Sequence, residues 1–82
     1  MRWVLVLTLA FAAGPARSDG AGSFTLYRNS VLDAGARIHV ASFDTAHGSG
    51  YNRENCNLVA SLMQAQEGVK ARFWCEAGAF RE

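Results

Sequence analysis

The sequence predicts a small α+β domain of element order ββαβ. It has two layers: a three-stranded, mostly antiparallel sheet and one helix packed on one face, joined by one disulfide. Three observations carry this expectation. Three segments alternate apolar and polar residues with the period of a strand. One segment repeats its apolar residues with the period of a helix. The only two cysteines, Cys56 and Cys75, fall where that arrangement brings helix and last strand together.

Phe24 to Asn29 (FTLYRN) is the first strand, with Phe24 and Leu26 on one face and Thr25 and Tyr27 on the other. Ser30 to Ala36 carries Asp33 and Gly35 and reads as a hairpin connection. Arg37 to Asp44 (RIHVASFD) is the second strand. Strict alternation puts Ile38, Val40 and Ser42 on one face, and Arg37, His39, Ala41 and Phe43 on the other. A Gly-rich loop, Thr45 to Tyr51, follows.

Asn52 to Gln66 is the helix. Asn52 is a natural N-cap, and Glu54 suits the dipole of a first turn. Cys56, Val59, Ala60 and Met63 form its apolar stripe, which Leu62 widens. Gly68 is placed for a left-handed cap. Val69 to Glu76 is the third strand, with Val69, Ala71, Phe73 and Cys75 toward the helix and Lys70, Arg72, Trp74 and Glu76 away from it. A helix joining strands two and three starts at one end of the sheet, and strand three returns to that same end. Cys56 in the early helix and Cys75 late in the strand then meet. Placing strand one centrally makes both of its neighbours antiparallel to it.

The chain opens with a different kind of segment. Arg2 precedes an apolar run from Trp3 to Ala13, Gly14 and Pro15 break it, and Ala16 and Ser18 suit a signal peptidase. Residues 1–18 therefore read as a secretory signal peptide, residues 19–23 as a flexible leader and residues 24–82 as the domain. The run is shorter than the roughly 20 residues a membrane span needs, so no stable span is expected after cleavage. Of 82 residues, loss of 18 leaves 64, with six Lys/Arg against seven Asp/Glu once Arg2 and Arg17 are gone. That balance disfavours nucleic acid as a partner. Export to the periplasm or beyond suits a Cys56–Cys75 bridge, which a domain this small needs.

A functional surface is expected on the sheet face away from the helix. Arg37, His39, Arg72 and Trp74 are the candidate ligand-binding residues, with Phe43, Glu76 and Tyr27 around them. Forked guanidinium hydrogen bonds and aromatic stacking suit an anionic or sugar-like ligand, or an envelope protein. Ordinary cross-strand pairing of Arg, Trp and Glu is the competing reading. A small ribonuclease-like hydrolase is the alternative function, with His39 and Glu76 as acid and base and Arg37 and Arg72 as phosphate clamp. Asp44, His47 and Ser49 lack the shaped turn of a catalytic triad and read as loop. Two Cys and two His without CxxC or HxxxH spacing give no zinc site, and no cofactor is expected.

The segments TLYRNS, RIHVASFD, YNRENC and GVKARFWCEAG together resemble a family of small, exported, uncharacterised proteins of Gram-negative bacteria. The likeness runs from about Phe24 to Gly78 and includes one cysteine in the helix and one in the last strand. It implies export and the disulfide, and it implies no catalytic residue.

Overall fold

The computed structural model describes residues 21–82; the expected signal segment and the first two leader residues lie outside them. The described chain forms β1 (Phe24–Ser30), β2 (Asp33–Phe43), α1 (Ser49–Gln64) and β3 (Phe73–Ala77). The sheet order is β2-β1-β3, and both neighbours run antiparallel to β1. The ββαβ plan, the central first strand and the single covering helix all follow the expectation. Ser23, at the end of the expected leader, is buried, and its carbonyl accepts a hydrogen bond from the Gly78 N–H.

The core between sheet and helix is built on Leu26, Cys56 and Ala60, with Phe24, Val40, Phe43, Val59, Met63 and Phe73 packed against them. The disulfide joins Cys56 to Cys75 across a Cα separation of 6.2 Å. It closes a loop with a sequence separation of 19, which by chain entropy stabilises the fold by about 3 kcal/mol.

Strict alternation fails in β2. Leu26 pairs with Ala41 but Tyr27 pairs with His39, so Val40 is an extra residue in the ladder. A bulge of this kind reverses the phase of the residues beyond it. Ala41 and Phe43, expected on the outer face, pack on the core instead. Ser42, expected with the core, lies on the outer side and meets the His39 ring at 2.9 Å. Ile38, expected under the helix, stays 37% exposed. The hairpin connection is shorter than expected, with only Val31 and Leu32 at its tip. The turn chemistry of Asp33 and Gly35 goes into a second irregularity inside β2, where Asp33 Oδ1 accepts the Gly35 N–H.

The helix starts three residues early, at Ser49, after Gly48 at φ 107°. Asn52 is therefore inside it and caps nothing. Its side chain faces inward, 1% exposed. Oδ1 accepts hydrogen bonds from the N–H and hydroxyl of Thr45, and Nδ2 donates to the carbonyls of Gly22 and Thr45. One amide thus ties the entry to β1, the loop after β2 and the helix. Glu54 falls beyond the first turn, which holds no acidic residue. Leu62, expected to widen the buried stripe, is 59% exposed and shares the solvent side with Leu58 and Tyr51.

The third strand is shorter than expected because its first bond to β1 uses a side chain. The Arg72 N–H donates to Asn29 Oδ1, while the Arg72 carbonyl accepts the Asn29 N–H. Val69 instead belongs to the turn after the helix, where its N–H donates to the Gln66 carbonyl and Gly68 takes φ 85°.

Candidate functional site

The outer face of the sheet begins with Tyr27 at its centre. Period-2 alternation in β1 turns Tyr27 away from the helix, opposite Leu26. Cross-strand pairing then places His39 on one side of it and Trp74 on the other. Sequence reasoning treats this face as open. In the folded chain Tyr27 has no exposure at all. Trp74 stacks beside it at 5.8 Å between ring centroids, and Phe80 stands at 5.9 Å. The Arg37 guanidinium lies 4.3 Å above the ring centre. The Tyr27 hydroxyl accepts the Arg81 N–H at 2.9 Å. The chain after β3 therefore folds back across this face, and a small second core forms there.

Glu76 is the polar centre of the same face. It takes a forked pair of hydrogen bonds from Arg37, one from Trp74 Nε1 at 2.7 Å and one from Arg81 at 3.1 Å. The Arg37 bonds, then that of Trp74, hold its carboxyl down at about 2, and Arg37 is raised in turn by the same pairing. A carboxylate so placed is an ionised acceptor throughout the neutral range. It is a poor proton donor there and a weak base.

The structure brings three of the four expected binding residues onto this face in occupied states. Arg37 is spent on Glu76 and Tyr27. His39 bonds Ser42 and packs against Phe80 at 5.0 Å. Trp74 is half-buried between Tyr27 and Glu76. Arg72 differs: it is exposed, and its guanidinium lies over the Trp74 ring at 4.5 Å with no acidic partner among the described residues. Sequence reasoning missed Phe80 and Arg81, whose only signal was an aromatic and a cation just past the last strand.

Elsewhere, Thr45 bonds Asn52, and His47 packs against Tyr51 at 4.7 Å; no hydrogen bond joins Asp44, His47 and Ser49. Among the described residues no three His, Cys, Asp or Glu side chains converge for a metal ion, and no helix is long and apolar enough to cross a membrane. A groove of about 500 Å³ runs between the helix and the free side of β3, lined by Asn57, Ala60, Ser61, Gln64, Phe73 and Cys75, with Trp74 at its edge. No family model, curated protein or solved structure matches the chain.

Proposed function

We propose that the chain is an exported, non-catalytic binding module that holds an anionic or sugar-like ligand at Arg72 and Trp74. The carrying observation is the exposed Arg72 guanidinium stacked on the half-buried Trp74 ring. A planar cation on an aromatic face keeps its edge hydrogen bonds available to a carboxylate, phosphate or sugar hydroxyl. Trp74 is itself anchored by Tyr27 and Glu76, so little freedom is lost on binding. The formed Cys56–Cys75 bridge suits an oxidising compartment, and the opening segment and the family resemblance add support for export to the periplasm or beyond.

The hydrolase alternative draws less support. Its acid and base, Glu76 and His39, and half its phosphate clamp, Arg37, are engaged in intramolecular contacts. Chemical-shift mapping of the processed chain against acidic glycans, nucleotides and envelope extracts tests the binding reading. Shifts centred on Arg72 and Trp74, lost in the Arg72→Ala, Trp74→Ala double variant, are expected. Binding that the double variant leaves unchanged places the site elsewhere.

A further inference from the structure

The free edge of β3 carries a hydrogen-bonding pattern that complements itself. The Asn29 N–H donates to the Arg72 carbonyl, and the Gly78 N–H donates to the Ser23 carbonyl. In an antiparallel ladder the peptide groups of alternate residues face alternate sides. Arg72, Trp74, Glu76 and Gly78 thus turn theirs to β1, while Phe73, Cys75 and Ala77 turn theirs to the open edge. Gln64 already occupies the start of that edge: its Oε1 accepts the Phe73 N–H at 2.8 Å, and its Nε2 donates to the Ala71 carbonyl at 2.9 Å. This side-chain amide stands in for one peptide unit of a neighbouring strand. The groups left over are the Phe73 carbonyl, both groups of Cys75 and both groups of Ala77.

We propose that β3 pairs, antiparallel and about a two-fold axis at Cys75, with β3 of a second copy of this chain. In that register each Cys75 N–H meets the Cys75 carbonyl of the other copy, and each Ala77 N–H meets the other's Phe73 carbonyl. Four of the five groups that Gln64 leaves free are then used, and the fifth, the Ala77 carbonyl, falls opposite the other copy's Phe73 N–H, where it competes with Gln64 Oε1. Centring the axis on Phe73 would put two N–H groups that Gln64 already holds at the axis itself and leave no free donor there, whereas both groups of Cys75 are free. Side chains agree with the backbone. On the outer face Trp74 falls opposite the second copy's Glu76, with Arg72 diagonal to that carboxylate, a favourable cross-strand charge placement. On the helix side the groove lies above the axis, so Asn57 and Ser61 of the two antiparallel helices face each other. Both are small enough for helices to approach to about 8–10 Å. The product is a six-stranded sheet of order β2-β1-β3-β3-β1-β2, with no unpaired β3 edge left to attract other strands. It sets two Arg72–Trp74 patches side by side. That bivalency rests on the ligand reading; the pairing itself does not.

Sedimentation velocity of the oxidised, processed chain from micromolar to millimolar concentration tests the proposal, together with amide hydrogen exchange over the same range. A monomer–dimer equilibrium is expected, with Cys75 and Ala77 amide exchange slowing as concentration rises. Ala77→Pro removes an N–H that the monomer does not use, at an edge position where proline is tolerated. It is expected to abolish the dimer while leaving helical circular dichroism, the disulfide and ligand binding at Arg72–Trp74 intact. A wild-type chain that stays monomeric throughout overturns the proposal, including one whose edge captures an extended segment of another protein. So does a dimer in which the Cys75 and Ala77 amides exchange at the monomer rate, a result that needs no variant to fold.

Discussion

Asn52 offers a test in which local and tertiary reasoning predict opposite results. As a helix N-cap, Asn52 would accept Asp as an equal replacement, and Ala would cost about 1 kcal/mol. The folded chain gives it a different job. Its Oδ1 accepts two hydrogen bonds from Thr45, and its Nδ2 donates to two carbonyls, at 2.9 Å to Gly22 and 3.3 Å to Thr45. Asn52→Ala strands these buried partners at about 1–3 kcal/mol for each that water cannot reach. About 2–3 kcal/mol in total is expected, because Thr45 itself is exposed. Asn52→Asp keeps the acceptor but turns a second carboxylate oxygen onto two carbonyls in a site that is 1% exposed. About 4 kcal/mol is expected at neutral pH, the cost of a buried charge facing the wrong dipoles. A domain this size holds on the order of 3–9 kcal/mol in all, so the Asp variant loses a large part of its stability at neutral pH.

The sign with pH separates the two variants further. The new carboxyl has its folded-state pKa raised by burial and by the facing carbonyls, so protonation favours the folded form. The Asp variant regains stability as pH falls, because the protonated acid can donate to one carbonyl; the Ala variant gains nothing by this route. Urea melts at neutral and mildly acidic pH, read as midpoint shifts at constant slope, measure both. An Asp variant within about 0.5 kcal/mol of the parent refutes the reasoning and restores the cap.

The disulfide and Glu76 give two more expectations. Reducing Cys56–Cys75, or replacing both with Ala, should lower stability by about 3 kcal/mol and the melting temperature by about 12–24 °C in a domain this small; a thermal melt with and without reductant that shifts by only a few degrees contradicts it. Glu76 has its carboxyl lowered from its ordinary value to about 2 by Arg37 and Trp74, so its contribution is complete above the unfolded carboxylate range and is lost as pH falls through about 2. Solvent reaches a quarter of that side chain, which limits the effect to about 1 kcal/mol; Glu76→Gln should flatten the acid limb of an acid titration followed by tryptophan fluorescence, and an unchanged limb speaks against the network.

The places where sequence reasoning and structure part company share a cause. Alternation was legible in Phe24 to Tyr27 because β1 is central and its faces are fixed by neighbours on both sides. It failed at Val40 because one inserted residue in an edge strand reverses the faces beyond it, and nothing in RIHVASF marks which residue is the extra one. The outer face was legible in its membership: Arg37, His39, Trp74 and Glu76 do surround Tyr27. It was not legible in its state, because Phe80 and Arg81 reach Tyr27 from more than fifty positions away.

From local information alone, the sequence determined the order of strands and helix, the apolar stripe of Cys56, Ala60 and Met63, and the meeting of Cys56 with Cys75. These follow from periodicity and from the reach of a short chain. Only the tertiary structure decided that Asn52 is a buried clasp and that Glu76 has three donors while Arg72 has no acidic partner among the described residues. It also decided that Gln64 shortens the open edge of β3. Each of those outcomes is a competition among polar groups far apart in the chain, settled by which partner lies within hydrogen-bond reach once the backbone has closed.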